Sequence, residues 1–295
     1  MALQFDEIGR RLRAYRLGKN LTAAEIADKI GISRAAVYRL EKGELVKIDT
    51  LEKLSALLDV SLPSLLGVGV EYYSNAVAFF ERMRQLEERA FHVLGNFSPI
   101  SFLLLSDDYI PYLQKTLRES IPEAAPDRAA AEAYAGKVLE ILEERRRAAA
   151  KRRTLVMSVV GAQDIERFLR FGLIGRFDLP PQEAQERRTA ARREVERLAR
   201  FMLQPPIGVQ IGVVEDMPPT QTFQVFESLD GKTVTLSPYR LGDQPSIASG
   251  IAMVTAAPEA VKLFTASLEN QWERAQKGEA GAAVLRTLLD RTAQS

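Results

Sequence analysis

The chain is 295 residues long, with 40 Lys and Arg against 39 Asp and Glu, one His and no Cys. That length predicts two domains, and the near-neutral balance excludes a protein that coats a polyanion through uniform positive charge. The absence of Cys excludes disulfides and thiolate chemistry, while a lone His excludes a multi-His zinc centre and the paired-His site of phospholipase-D-like phosphodiesterases within one chain.

The N-terminal stretch Met1–Glu7 lacks a charged-then-apolar signal pattern, and no apolar run reaches the roughly eighteen residues that span a bilayer. The expectation is a soluble, cytoplasmic protein. Phe5, Ile8, Leu12 and Tyr15 recur at helical spacing, with Arg10, Arg11, Arg13 and Arg16 around the remaining surface. Thr22-Ala23-Ala24-Glu25 has the form of a capping box and opens a second helix carrying Ile26, Ala27 and Ile30. Gly31 stops it, and Ser33 caps a third helix over Arg34–Lys42 before Gly43. Asp49 is expected to cap a fourth helix with Leu51, Leu54, Leu57 and Leu58, and Ser61 begins a short fifth.

Gly67-Val68-Gly69-Val70 reads as a hinge, not as a dinucleotide fingerprint, because the third glycine and a preceding strand are missing. The aromatic stripe from Tyr72 to Phe91 predicts one long helix over Glu71 to about Gly95, serving as a connector or dimer helix or simply packing on the next domain. Beyond it, Ile100–Leu105, Thr154–Val160, Val209–Val214, Phe223–Phe226, Val234–Ser237 and Gly250–Thr255 read as strands. Asp107–Glu119, Pro126–Arg152, Asp164–Phe171, Pro181–Leu203, Pro258–Lys277 and Glu279–Arg291 read as helices. A turn at Glu227–Lys232 joins two β-branched runs into a hairpin. The expected architecture is multi-domain: an all-α head of five helices (1–66), a hinge and connector (67–95) and a mixed α/β domain (96–295).

Within that domain, the basic run Glu143–Arg153 reads as a dipole-stabilised helix end, with phosphate contact as the minor alternative. Asp107 and Asp108 read as helix-capping carboxylates, His92 as a packed or surface residue at the end of the aromatic helix, and Phe264 and Trp272 as core. Tyr109, Tyr112, Tyr239 and Arg240, at predicted element ends, are the candidates for a ligand pocket. No HExxH motif or Ser-Lys self-cleavage pair is present, and no cofactor or metal is implied.

The pair of helices from Thr22 to Lys42, joined by a three- to four-residue Gly turn, has helix-turn-helix spacing. With Ala27, Gly31, Ser33, Val37, the Glu41–Gly43 end and the leucines of the fourth helix in register, the head resembles the Cro/C1-type (XRE) helix-turn-helix family, whose fold is λ-repressor-like. The resemblance implies a regulator that binds double-stranded DNA, commonly a homodimer on a palindromic site. One departure is Ala23, where the family commonly has a DNA-contacting Gln.

After Ile26, Ile30, Ile32, Val37 and Leu40 fill the core, the third helix presents Arg34, Ala35, Tyr38, Arg39 and Lys42 outward. Arg34 and Ala35 are the candidates for base edges, a guanidinium fork for guanine and a methyl for thymine, and Tyr38 reaches a base or a phosphate. Arg39 and Lys42, with Ser33 and the N-terminal Thr22 and Ala23 of the second helix, are the phosphate candidates. The head carries eleven basic against nine acidic residues, so its non-specific attraction to DNA is expected to be modest. The second domain is expected to dimerise and to bind a small-molecule or protein effector. An antitoxin-like or scaffold protein, and an enzyme with a DNA-binding head, are the alternatives.

Overall fold

The computed structural model describes residues 5–44, 47–152, 154–216, 221–242 and 245–293. Its head contains α1 (Phe5–Gly18), α2 (Ala23–Ile30), α3 (Arg34–Glu41), α4 (Ile48–Leu58) and α5 (Leu62–Leu66). Within the head the expected caps recur except at Asp49. Thr22 and Glu25 form the reciprocal capping box, Ser33 accepts from the Ala36 N–H, and Ser61 accepts from the Ser64 N–H. Asp49 does not cap α4; the helix starts at Ile48 after an uncapped Lys47. Asp49 then sits in the first turn, where its charge still favours the helix dipole.

The body comprises β1 (Val70–Tyr73), α6 (Ala76–Arg89), β2 (His92–Asn96), α7 (Tyr109–Glu119), α8 (Arg128–Arg152), β3 (Leu155–Gly161), α9 (Ala162–Phe171), α10 (Pro181–Leu203), β4 (Val209–Val214), β5 (Phe223–Ser228), β6 (Gly231–Leu236), β7 (Ala252–Thr255), α11 (Pro258–Arg274), β8 (Gln276–Lys277) and α12 (Gly278–Ala293). Among the described residues the sheet runs β1-β7-β6-β5-β2-β3-β4-β8. β2, β3 and β4 are parallel and the other pairings antiparallel, so the body is a mixed α/β unit. β3 is buried from Val156 to Gly161, as a central parallel strand covered on both faces should be. The hairpin at Glu227–Lys232 forms, with Ser228 opposite Gly231.

Residues 71–95 are not one helix. Tyr72 and Tyr73 lie in β1, Asn75 caps α6 by accepting from the Ala78 N–H at 3.1 Å, and His92 lies on β2 beside Glu227. The strands exist because β1 pairs with β7 and β2 with β3 and β5, partners remote in sequence. Nor is Ile100–Leu105 a strand. Ile100, Phe102, Leu104 and Leu105 are buried around a 3-10 turn at Phe102–Leu104. The helix expected over Pro258–Lys277 ends at Arg274, and Gln276 and Lys277 pair with β4.

The expected hinge also has another form. Gly67 ends α5 in the left-handed region at φ 71°, and Val70 already belongs to the sheet edge. α1 lies directly on α6: a Cβ on Gly18 would come within 2.5 Å of the Ala78 Cβ, so only glycine allows this approach. Tyr15 stacks on Tyr73 with ring centroids 4.7 Å apart. One apolar core therefore runs from α1 through α6 into the sheet, and a smaller one lies under α11, where Phe223 meets Phe264 and Trp272 packs at its edge.

Two arginines of the basic run ending α8 are committed to the fold, while Arg147, Lys151 and Arg152 are exposed. Arg145 is buried and donates to both oxygens of Glu87 at 2.7 and 2.9 Å, and Arg146 bonds the Leu105 carbonyl and Asp107. Arg153 lies outside the described residues. Asp107 is thus an ion-pair partner, and Asp108 makes no side-chain cap for α7.

Candidate nucleic-acid interface

Two short helices position the surface. α2 begins at Thr22, whose hydroxyl accepts from the Glu25 N–H at 3.2 Å while the Glu25 carboxylate accepts from the Thr22 N–H at 2.7 Å. These bonds hold the Glu25 carboxyl below its ordinary value. Gly31, at φ 73°, turns the chain through the left-handed region, where a non-glycine residue is strained. Ser33 then starts α3. Ile26, Ala27 and Val37 are buried and lock the pair together. Arg16 of α1 clamps the far end of α3, donating to Glu41 at 2.5 and 3.1 Å.

With its inner side so anchored, α3 exposes Arg34, Ala35, Tyr38, Arg39 and Lys42. Arg34 donates through Nη2 to the Tyr38 hydroxyl at 3.3 Å, and its guanidinium carbon lies 5.5 Å from the centre of that ring. The two side chains therefore form one unit, in which a planar cation rests on an aromatic ring. Arg39 faces Glu44 at 3.4 Å. Lys42 ends the helix in solvent.

The N-terminal candidates of α2 are placed differently from one another. Thr22 is exposed but its hydroxyl and N–H both serve the capping box. The Ala23 methyl is buried at 3% exposure, so this position offers only its backbone outward. Ser33 is exposed and its hydroxyl caps Ala36. Asn20 and Lys137, which pattern reading of the sequence passes over, stand beside this surface, with Lys137 Nζ donating to Asn20 Oδ1 at 3.0 Å. Lys137 is 117 residues away in sequence and no local signal ties it to the head.

The four residues expected to form a ligand pocket do not converge on one. Tyr109 is buried and donates to the Leu241 carbonyl at 2.6 Å. Tyr239 is buried and within hydrogen-bond distance of the carbonyls of Tyr73 and Gly250, while Tyr112 packs against the core near Arg187. Burying a phenol favours such a partner, so Tyr109 and Tyr239 are core residues with satisfied hydroxyls. Arg240 borders a cavity together with Arg176 and Phe177. A larger polar junction that no motif announces joins head to body: Arg11 and Arg82 both bind Glu71. Among the described residues, no group of three or more His, Asp or Glu could hold a metal ion, and no helix is long and apolar enough to cross a membrane.

Residues 12–65 match a family model described as Helix-turn-helix. Over 61 residues the chain is 38% identical to the HTH-type transcriptional regulator SinR of Bacillus subtilis (strain 168), covering 20% of this chain and 55% of that protein. The match to SinR of Bacillus licheniformis has the same identity and coverage. The chain thus spans about half the length of the curated relatives it matches. No solved structure matches. The head of this chain is a helix-turn-helix unit of the Cro/C1 type.

Proposed function

We propose that the protein is a sequence-specific DNA-binding transcriptional regulator whose α3 enters the major groove. The observation that carries this is the exposed face of α3, with Arg34 and Tyr38 paired at its outer edge and the opposite side locked by Val37 and the Arg16–Glu41 clamp. Arg34 and Ala35 read base edges, Tyr38 orients the Arg34 fork, and Arg39, Lys42, Ser33 and the start of α2 hold phosphates. The similarity of the head to the HTH-type transcriptional regulators SinR supports the same reading.

The regulator acts as a homodimer on a palindromic operator with half-sites about 34 Å apart. An uncovered apolar strip at the sheet edge supports the dimer: Tyr72, opposite Met253, is 53% exposed, and Ile251 is 65% exposed. The body receives an effector. A cavity of about 350 Å³ between α1, the Gly67–Gly69 link and the β5–β6 hairpin supports this, since an occupant there touches head and body together.

Selection from random duplexes with the full chain tests the proposal. Wild type should enrich one palindrome, and Arg34→Ala should lose preference at one base of each half-site. Failure of the wild type to enrich any sequence overturns the reading.

A further inference from the structure

The body's α8 reaches the DNA-facing side of the head. A cleft of about 420 Å³ is bordered there by Asn20, Thr22, Ala23, Arg34, Tyr38 and Lys137. Arg16 is also at its wall but is committed to Glu41. No carboxylate lines the cleft, and the nearby Glu25 is folded back onto Thr22. Lys137 makes no ion pair among the described residues; its partner is the neutral amide of Asn20. A strongly hydrated ammonium held against an amide keeps most of its charge available to an anion.

Its position is set by the body. Three residues before it, the Tyr134 hydroxyl accepts from the Ala76 N–H at 2.7 Å, and two turns beyond it Arg145 grips Glu87. α8 is thus bolted to α6 on either side of Lys137, which fixes where its side chain leaves the helix.

We infer that this cleft seats a backbone phosphate of the bound DNA and that Lys137, from the body, supplies its cation. The inference rests on the reading of α3 as the DNA-recognition helix. Arg34 and Tyr38 form the other wall, so a phosphate held here lies directly beside the bases those residues face. A cation fixed to the body adds affinity without adding sequence preference. It also makes the body part of the DNA contact, so a shift of α8 changes affinity without refolding the head.

The test uses the full chain with its selected duplex and an unrelated duplex, titrated from about 50 to about 200 mM salt. Lys137→Gln should weaken binding to both duplexes by the same factor. It should also flatten the slope of log affinity against log salt by about 0.9, the value of one phosphate contact. The ratio of wild-type to variant affinity then falls about 3.5-fold across that salt range. Lys137→Arg should restore both affinity and slope, and the thermal midpoint without DNA should not move in either variant.

If wild type binds DNA and Lys137→Gln matches it in affinity and slope, the inference fails while the reading of α3 stands. A loss confined to the selected duplex, or with an unchanged slope, likewise overturns the phosphate contact. Absence of DNA binding by wild type removes the reading of α3 first.

Discussion

Arg11 of the first helix donates its Nε to Glu71 of the body's edge strand at 2.6 Å. The same carboxylate accepts from Arg82 Nε at 3.0 Å and from the Tyr73 hydroxyl at 2.6 Å, and Arg82 reaches back to Glu7 of the head at 2.9 Å. Glu71 and Arg82 are both buried. Head and body are therefore joined by a largely buried, mutually neutralised network rather than by a loose tether. Removing one partner of such a network leaves an uncompensated buried charge, which costs about 3–5 kcal/mol. Glu71→Gln should lower the unfolding free energy of the full chain by about 3 kcal/mol, measured by denaturant titration with far-ultraviolet dichroism and Trp272 fluorescence. A loss below about 0.5 kcal/mol, as found at exposed pairs, would show that water screens the junction.

The same junction sets a dependence on acid. Burial raises the Glu71 carboxyl, but the Arg82 and Arg11 guanidiniums outweigh it and hold the group at about 2, below its ordinary 4.5. A lowered folded-state value stabilises the protein above the unfolded value, and that stabilisation fades as the pH falls toward the folded value. The stability difference between wild type and Glu71→Gln should thus be constant above about pH 4.5 and shrink between about 4.5 and about 2. Thermal midpoints of both proteins across this window measure it. A pH-independent difference would sink the assignment.

On α3, Tyr38→Phe keeps the ring under Arg34 and removes only the hydroxyl that accepts at 3.3 Å. Its effect on operator affinity should be about 1 kcal/mol or less. Arg34→Ala should remove about 1–3 kcal/mol of discrimination at one base. Lys42→Ala should weaken every duplex alike. Titration against the operator and its single-base variants separates the three outcomes, and equal losses on all duplexes for Arg34→Ala would reassign it to phosphate.

Two local substitutions probe how the helix pair is built. Thr22→Ala removes the hydroxyl half of the capping box and should cost about 1 kcal/mol. Gly31→Ala meets no atom within 4 Å, so its cost, about 1 kcal/mol, is purely the left-handed backbone at φ 73°. Denaturant midpoints check both. A neutral Gly31→Ala would mean the turn relaxes to another conformation.

The head was legible because its signals are local. Thr22 with Glu25, Gly31, and Ser33 each act within four residues, and the spacing of Ile26, Ala27 and Val37 defines one buried face. Asp49 misled because Asp is favoured both as a cap and in a first turn, one step apart in the chain. Tyr72 and Tyr73 misled for a different reason: four residues carry too little periodicity to separate a strand from the start of the helix that follows. β2 is only one residue longer, and its partners lie 60 and more residues away.

By itself, then, the sequence determined the helix-turn-helix head, the outward set Arg34, Ala35, Tyr38, Arg39 and Lys42, and most of the body's longer helices and strands. Capping, glycine turns and apolar periodicity are properties of neighbouring residues and need no fold to be read. Only the tertiary structure decided that α1 rests on α6, that Glu71 is shared by Arg11 and Arg82, and that Lys137 shares a cleft with Arg34 and Tyr38 of α3. Those are meetings between segments as much as 117 residues apart, and what brings them together is burial of a common core, which no local pattern encodes.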